Sequence, residues 1–204
     1  MIKIGLTGGI CTGKTFILDI FKELDCYTLR ADDLAKQLIF SNQPEIVTKI
    51  TAVFGEEVYD SKTGINKDVF TRMMFADPEK RNFINSFVHP LVVVERDKIL
   101  HELGESKTYH FFIYESALLV ESGTYKDFDK IIVVYTSQEE QVKRLMERDG
   151  IGKEDAENRI KAQFPLSEKL KVANYTIDTT GSFDNARKLT LETFHLLKKD
   201  FNLS

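Results

Sequence analysis

A glycine-rich stretch near the start of the chain, residues 8–15 (GGICTGKT), fits the pattern G-x-x-x-x-G-K-[ST]. Just before it, Ile2, Ile4 and Leu6 alternate with other residues, which predicts a strand. Just after it, residues 14–24 carry apolar side chains at helical spacing. A strand, a glycine-rich loop and a helix in this order predict an α/β fold with a phosphate-binding loop behind its first strand.

The residue types of this loop suit a nucleotide. Glycines let successive backbone N–H groups curl around phosphate oxygens, and the N-terminus of the following helix adds partial positive charge. Lys14 is expected to reach the β- and γ-phosphates of ATP, and the Thr15 hydroxyl to bind Mg²⁺. The alternative is a glycine-rich turn with an accidental Lys-Thr pair. The residues predicted to bind ATP are Gly8, Gly9, Ile10, Cys11, Thr12, Gly13, Lys14, Thr15 and Phe16.

The rest of the chain alternates strands and helices around a helical block. Near-continuous apolar runs at residues 109–114 and 130–135 are typical of strands buried on both faces of a parallel sheet. Ser137 and Glu140 have the spacing of a capping box at a helix start. Further predicted elements are strands at residues 27–30 and 175–177 and helices at residues 138–148 and 183–201. The pattern predicts a three-layer P-loop NTPase fold with a parallel central sheet.

The segment from residue 33 to residue 103 predicts several consecutive helices and no strong strand. Asp77 before Pro78 is a good helix N-cap, because proline is favoured at the first helical position. Pro90 is expected to kink or break the helix that contains it. This block reads as a helical insertion into the α/β core.

Composition narrows the class of partner. Among the 204 residues, 28 Lys and Arg stand against 32 Asp and Glu, a net charge of −4, which argues against a general nucleic-acid binder. No apolar run approaches the roughly 20 residues of a membrane span, and the N-terminus lacks signal-peptide features. The cysteines, Cys11 and Cys26, suggest neither a disulfide framework nor a metal site. We therefore expect a cytoplasmic protein, monomeric or weakly homo-oligomeric, without nucleic-acid or membrane partners.

Asp32 follows the second predicted strand directly. In open α/β sheets, ligands bind beyond the carboxyl ends of the strands, so a carboxylate there can accept a proton from an attacking hydroxyl. The alternative is that Asp32 caps the next helix, a role that Asp33 fills equally well. The residues alone leave both interpretations open.

A cluster of arginines follows the strand at residues 130–135. Arg144 and Arg148 lie four residues apart on one predicted helix, and Arg159 lies on the next, beyond a break at Gly150 and Gly152. Guanidinium groups in such a segment can close over phosphates and stabilise charge during phosphoryl transfer. In the alternative, these arginines form surface pairs, with Arg144 on Glu140 and Arg159 on Asp155.

Several ordered motifs resemble those of the dephospho-CoA kinase family and span nearly the whole chain. They are LTGGI with GK at residues 6–14, ADDLAK at residues 31–36, His89-Pro90, LLVE at residues 118–121, RD at residues 148–149 and RIKAQ at residues 159–163. The phosphate loop alone is common to many families. The ordered set therefore carries the resemblance.

The resemblance implies transfer of the ATP γ-phosphoryl group to the ribose 3′-hydroxyl of dephospho-coenzyme A. It implies a catalytic set in which Asp32 is the base, Lys14 clamps the phosphates and Arg148 acts from a lid. It also implies one P-loop kinase domain over residues 1–204. The expected parts are a core (about 1–32, 104–147 and 165–204), a substrate-binding insertion (about 33–103) and a lid (about 148–164).

Further binding roles follow from the same motifs. The expected substrate-binding residues are His89, Leu118, Glu121 and Arg159. For His89 a structural role is favoured, because a lone histidine before proline in a helix is more often a core or capping group than a catalyst. Glu115, after the third buried strand, stands where the family usually has aspartate and is expected to join Thr15 at Mg²⁺, directly or through water. The alternative is a polar residue that merely ends the strand.

Some positions depart from the family pattern. Cys11 replaces a usual glycine, which costs strain if its φ is positive. The helix N-terminus could lower the pKa of its thiol and make it oxidisable, but a small side chain that the loop tolerates is the favoured interpretation. Phe16 replaces a hydroxyl residue, Arg30 an aspartate and Ala117 a proline. Residues 179–181 (TTG) replace an Asn-rich turn expected near adenine. Lys14, Thr15 and Asp32 are retained, so activity is expected.

Three competing functions remain open at this point. The chain could phosphorylate another small molecule, such as a nucleoside, a nucleotide or shikimate. It could be a nucleotide-binding switch that hydrolyses ATP and changes shape. It could also be a family member that binds coenzyme A without catalysis. Negligible ATP hydrolysis until an acceptor is added would distinguish a kinase from a switch.

Overall fold

The computed structural model describes residues 1–203, apart from the side chain of Phe75. The strands are β1 (Ile2–Gly8), β2 (Tyr27–Arg30), β3 (Tyr59–Asp60), β4 (Gly64–Ile65), β5 (Phe111–Glu115), β6 (Lys130–Tyr135) and β7 (Tyr175–Asp178). Within residues 1–203, a five-stranded sheet has the order β2-β5-β1-β6-β7, and β3 pairs with β4 in a hairpin. β1 runs parallel to β5 and β6, and β6 runs parallel to β7. The expected parallel α/β core is confirmed.

Helices connect and flank these strands. They are α1 (Lys14–Glu23), α2 (Ala31–Ile39), α3 (Pro44–Phe54), α4 (Lys67–Ala76), α5 (Pro78–Ser106), α6 (Gln138–Asp149), α7 (Lys153–Lys161), α8 (Leu166–Leu170) and α9 (Phe183–Asp200). Short 3-10 turns lie at Glu56–Val58 and Thr124–Asp127. The helices expected at residues 138–148 and 183–201 are confirmed to within one residue.

The chain divides into two compact units. The first comprises Met1–Leu29 and Ser106–Ser204 and contains the phosphate loop and almost all of the parallel sheet. The second comprises Arg30–Glu105 and contains α2, α3, α4, the hairpin and nearly all of α5. The second unit has its own apolar centre, in which the rings of Phe54 and Phe70 stack with centroids 4.9 Å apart.

One face of the central sheet packs against α1 and α9. Its side chains alternate along the strands, as the two-residue period of a strand requires. The buried cluster consists of Ile4 and Leu6 in β1, Phe111 and Ile113 in β5, Ile132 and Val134 in β6, Ile177 in β7, Ile17, Leu18, Ile20 and Phe21 in α1, Cys26, and Ala186 and Leu197 in α9. Burial of each large side chain contributes roughly 1.5–3 kcal/mol, so this face anchors the strand and helix on either side of the phosphate loop.

The opposite face of the sheet is covered by the segment after β5. The Tyr114 ring stacks on Phe112 and on Phe128, with centroids 6.4 Å and 5.5 Å away. A Cβ atom at Gly5 would lie 2.6 Å from Leu119, so glycine in β1 leaves room for this leucine. Both faces of the sheet are therefore buried, as the apolar runs in the sequence predict.

Two local predictions differ from the structure. The strand expected at residues 109–114 is Phe111–Glu115, so it starts later and takes in the glutamate. Pro90 is expected to kink or break its helix, and of these two outcomes the break does not occur, since α5 continues through it from Pro78 to Ser106. Proline removes one backbone hydrogen bond, but Pro90 lies on the exposed side. The buried residues of α5 recur every four positions on both sides of it, at Ile84, Val88, Val92 and Arg96, and their packing offsets the lost bond.

Helix capping matches the sequence signals in part. The Asp77 carboxylate accepts hydrogen bonds from the backbone N–H groups of Glu79 and Lys80, as predicted. Ser137 Oγ accepts from the N–H of Glu140. The second half of the capping box is absent at this helix, because Ser137 N–H donates to Thr180 Oγ1 instead.

Among residues 1–203, the structure contains no helix with the length and apolar character needed to span a membrane.

Candidate active site

The phosphate loop leaves the sheet at Gly8, where β1 lies between β5 and β6. A Cβ atom at Gly8 would lie 2.1 Å from the backbone oxygen of Val134, so the loop can start here only with glycine. Gly13 has a φ of 86° and Cys11 a φ of 55°. Left-handed residues within a turn make successive N–H groups converge, which is the geometry of an anion-binding nest.

The residues after Gly13 provide the charge expected of a phosphate site. Lys14 Nζ donates to the carbonyl oxygens of Gly8 (3.1 Å) and Gly9 (2.7 Å), which holds the ammonium group beside the loop. Thr15 is exposed in the first turn of α1. That turn, within the described part of the chain, carries no acidic side chain that would oppose an anion at the helix N-terminus.

The backbone and the thiol of Cys11 both bear on its sequence-based interpretation. Its left-handed conformation is the strained one foreseen for a non-glycine residue, at a cost of about 1–2 kcal/mol. Of the two interpretations of Cys11, the direction of its pKa shift favours a small side chain tolerated in the loop over an activated thiol. Burial raises the pKa of Cys11, and the nearby charges of Arg148 and Lys14, which lower it, do not offset that effect.

Arg144 and Thr179 support the middle of the loop. Thr179 Oγ1 donates to the backbone oxygen of Thr12 at 2.8 Å. Arg144 donates to the Thr179 backbone oxygen at 2.7 Å and reaches that of Cys11 at 3.5 Å. Its surface pair with Glu140 is also present, at 3.3 Å. Arg144 therefore links α6 to the loop after β7 and to the phosphate loop. The contact of Thr179 with the phosphate loop is one that no spacing in the sequence predicts.

Ile10 is held by two glutamines. Its N–H donates to Gln163 Oε1 at 2.7 Å, and its carbonyl oxygen accepts from Gln141 Nε2 at 2.8 Å. Gln163 is the last residue of the RIKAQ motif, so the sequence singled it out but did not indicate what it does. Gln141 lies in the first turn and a half of α6 and has no distinguishing sequence signal.

Glu115 ends β5 beside Leu6 of β1 and is 5% exposed. It therefore lies at the edge of the sheet from which the phosphate loop leaves. A carboxylate and the Thr15 hydroxyl are hard oxygen donors of the kind that Mg²⁺ takes alongside nucleotide phosphates. The chemistry of these residues fits the metal expected from the sequence.

Two of the predicted arginines converge on one carboxylate. Arg148 Nε lies 2.7 Å from Asp149 Oδ1, and Arg159 Nη1 lies 2.9 Å from Asp149 Oδ2. The hydrogen bond from Arg148 lowers the pKa of Asp149 below its ordinary value. The alternative pair between Arg159 and Asp155 is wrong, because Asp149 at the end of α6 is its partner. Both arginine side chains are more than half exposed and so remain accessible to a ligand.

Glu121 and Leu118 belong to the segment that follows β5. Both carboxylate oxygens of Glu121 accept from Lys169 Nζ, at 2.7 and 2.9 Å, and Lys169 also donates to the backbone oxygen of Ala117 at 2.7 Å. The Lys169 side chain is only 2% exposed. Leu118, between these anchors, is 48% exposed. The sequence does not single out Lys169, because a buried lysine has no pattern of its own.

Asp32 and His89 are the predicted site residues of the second unit. Asp32 is exposed and lies in the first turn of α2, directly after β2. It is not the N-cap, since Arg30 occupies that position and α2 has already begun. Arg30 pairs instead with Asp33, at 3.3 Å. His89 is half-buried within α5.

A cavity of about 260 Å³ lies beside the phosphate loop in the first unit. Its lining includes Gly9, Thr12, Gln141, Gln163 and Lys169. The loop, the supporting side chains of α6 and the buried lysine of α8 therefore border one space.

Comparison with known proteins points to the same family as the sequence motifs. Residues 2–185 match the family model described as CoaE: Dephospho-CoA kinase. A dephospho-CoA kinase of Aquifex aeolicus is 36% identical over 200 residues, covering 98% of this chain and all of that protein. One from Carboxydothermus hydrogenoformans is 36% identical over 188 residues, covering 92% of this chain and 90% of the relative.

Solved structures agree with these sequences. Dephospho-CoA kinase from Campylobacter jejuni has a TM-score of 0.71 at 28% identity, covering 97% of this chain and 98% of the other. The TT1252 protein of Thermus thermophilus has a TM-score of 0.74 at 27% identity, covering 96% of each chain. A shikimate kinase from Acinetobacter baumannii, at 16% identity and a TM-score of 0.53, covers 98% of this chain and 94% of its own and shares the fold alone. The chain belongs to the dephospho-CoA kinase family.

Proposed function

We propose that this chain transfers the γ-phosphoryl group of ATP to the ribose 3′-hydroxyl of dephospho-coenzyme A. As a member of its family the chain is an ATP-dependent phosphotransferase. The observation that carries the proposal is the complete phosphate loop, with its left-handed turns and with Lys14 at its side, in a chain that matches the family over residues 2–185.

In this proposal Lys14 neutralises charge on the β- and γ-phosphates, and the loop amides hold the phosphate oxygens. Thr15 and Glu115 would hold Mg²⁺, whose positive charge would help to neutralise the phosphates of ATP during transfer. What supports these roles is the donor chemistry of the two residues and the location of Glu115 beside β1.

Asp32 is proposed as the base that accepts the proton of the acceptor hydroxyl. Its support is its exposure and its position in the turn after β2, since ligands of open α/β sheets bind beyond the carboxyl ends of the strands. Asp33 is the less suitable candidate, because its carboxylate already pairs with Arg30 and with Lys36.

Arg148 and Arg159 are proposed to act from a lid of residues 148–164. Their shared contact with Asp149 keeps the two guanidinium groups close together, and both side chains are exposed to solvent. Exchange of this carboxylate for the phosphates of ATP would let both arginines stabilise transition-state charge.

The acceptor is proposed to bind through the insertion, with His89 on its helix α5, and through the exposed Leu118. Glu121 contributes through its ion pair with Lys169, which fixes the segment that presents Leu118. We also propose that the chain works in the cytosol as a monomer or weak homo-oligomer, where its free cysteines stay reduced.

The proposed base is tested by single-turnover transfer from MgATP to dephospho-coenzyme A with the wild type, Asp32→Asn and the matched control Asp33→Asn. Loss of a general base lowers the rate by about 10²–10⁴-fold, so Asp32→Asn should lose that much and Asp33→Asn little. ATP hydrolysis should stay negligible until the acceptor is added. Equal rates for the two variants would exclude Asp32 as the base, and hydrolysis independent of acceptor would favour a switch.

A further inference from the structure

Gln141 and Gln163 grip the backbone of Ile10 from two sides. Gln163 Oε1 accepts from the Ile10 N–H at 2.7 Å, and Gln141 Nε2 donates to the Ile10 carbonyl oxygen at 2.8 Å. The N–H and the C=O of one residue belong to two consecutive peptide groups. The two glutamines, called here the glutamine clamp, therefore fix two successive peptide planes of the phosphate loop.

The N–H and C=O of a trans peptide point in opposite directions, so a hydrogen bond to one of these groups also fixes the direction of the other. Gln163 holds the Ile10 N–H, and so the carbonyl of Gly9 points the other way, where it accepts from Lys14 Nζ at 2.7 Å. Gln141 holds the Ile10 carbonyl and so directs the N–H of Cys11 away from α6. The clamp thereby orients a partner of the catalytic lysine and the next amide of the nest.

Gly9 makes room for the clamp. A Cβ atom at this position would lie 2.8 Å from Gln141 Nε2 and 3.3 Å from Gln163 Oε1. The φ of Gly9 is not among the positive values of the chain's glycines, so glycine here leaves space for the two glutamine head groups and is not needed for the backbone conformation.

The two glutamines come from elements with separate anchors. Gln141 is on α6, whose Val142 and Leu145 pack on Ala156 of α7, with the side chain of Ile10 against the same cluster. Gln163 lies between α7 and α8, and α8 is anchored by the buried ammonium group of Lys169. A displacement of α7 would therefore move Gln163 and change its hydrogen bond with the Ile10 N–H.

We propose that Gln141 and Gln163 are positioning residues that hold the phosphate loop in its nucleotide-binding shape and couple it to the α6–α7 segment. The proposal rests on the proposed function only in taking ATP as the nucleotide. Neither glutamine is assigned contact with the reacting atoms. They act through the peptide groups on either side of Ile10.

The first test measures backbone amide exchange of Ile10 by NMR and the affinity for MgADP by calorimetry. Gln163→Leu should make the Ile10 amide exchange at least about tenfold faster, since its hydrogen-bond acceptor is lost. Gln163→Glu keeps an acceptor oxygen and should keep the amide protected. Gln141→Leu and Gln163→Leu should each weaken MgADP binding about tenfold. The matched control Gln138→Leu, an exposed glutamine of the same helix, should leave both quantities unchanged.

Gly9→Ala provides a second route to the same state, because its methyl group would push both glutamine head groups aside without altering them. Because Gly9 itself belongs to the phosphate loop, its clamp-specific readout is the Ile10 amide, which should exchange faster in Gly9→Ala than in the wild type. This variant also keeps the proposal testable if the glutamine variants do not fold.

Unchanged exchange of the Ile10 amide in Gln163→Leu would overturn the proposal, and so would unchanged MgADP affinity in folded Gln141→Leu, Gln163→Leu and Gly9→Ala. These measurements use no acceptor. A failure to phosphorylate dephospho-coenzyme A would contradict the proposed function and leave the clamp standing, whereas loss of the clamp effect would leave the acceptor assignment untouched.

Discussion

At the scale of single residues, the phosphate loop depends on where a Cβ atom fits and on which residues accept a left-handed backbone. Gly8 must be glycine because of the close approach of Val134, and Gly13 because of its φ of 86°. Cys11 meets the same backbone demand at a φ of 55° with a side chain that disfavours it. The loop therefore keeps its shape here against a local cost.

This cost predicts the order of stability among variants of Cys11. Cys11→Gly removes the left-handed penalty and should raise the free energy of unfolding by up to about 1 kcal/mol. Cys11→Val, which is β-branched, should lower it by at least about 1 kcal/mol. Urea unfolding monitored by circular dichroism measures both. A valine variant as stable as the wild type would show that this backbone carries no strain.

At the scale of elements, two lysines near the end of α8 offer a direct comparison of buried and exposed ion pairs. Lys169 pairs with Glu121 and Lys171 with Glu168, both at 2.7 Å, but the lysine side chains are 2% and 67% exposed. The two ion pairs therefore have the same length but differ in burial, and we expect them to differ in their contribution to stability. Only the first pair ties α8 to the segment after β5.

Lys169→Met should lower the free energy of unfolding by about 3 kcal/mol, because it leaves the Glu121 carboxylate and the Ala117 carbonyl without their common donor. Lys171→Met should change it by less than about 0.5 kcal/mol, as expected of an exposed pair. Chemical unfolding of the two variants side by side gives the comparison. Similar losses in both would contradict the anchoring role of Lys169.

A second tie between elements predicts a pH dependence in alkali. The Tyr175 hydroxyl of β7 donates to Asp200 at the end of α9, and Lys130 of β6 lies 3.3 Å from the same carboxylate. Burial and the Asp200 carboxylate raise the pKa of Tyr175 from about 10 to about 12. The protonated phenol is thus favoured by folding. Its contribution is complete below pH of about 10 and is lost as pH rises through about 12.

Tyr175→Phe tests this dependence. The stability difference between wild type and variant should shrink as pH is raised from about 10 to about 12, and one tyrosinate absorption step near the upper value should vanish in the variant. A constant difference across that range would show that the tyrosine does not titrate with a raised pKa.

At the scale of the whole molecule, the features that the sequence predicts are those that arise from apolar periodicity and from short motifs. The strands and helices of the core follow from apolar patterns, and the loop at residues 8–15 follows from its glycines and Lys14. The continuous helix through Pro90 was missed because local proline chemistry says nothing about packing on both sides. Gln141, Lys169 and Thr179 were missed because each acts on a backbone atom of a distant segment, and such contacts leave no spacing in the sequence.

The most direct test of the proposed function is the choice of phosphoryl acceptor. Purified protein with MgATP is offered dephospho-coenzyme A, AMP, adenosine and shikimate in parallel, and the products are identified by mass and by position of the new phosphate. We expect transfer to dephospho-coenzyme A alone, with the phosphate on the ribose 3′-oxygen. Transfer to another acceptor in its place, or no transfer by a protein that still binds ATP, would contradict the proposed function.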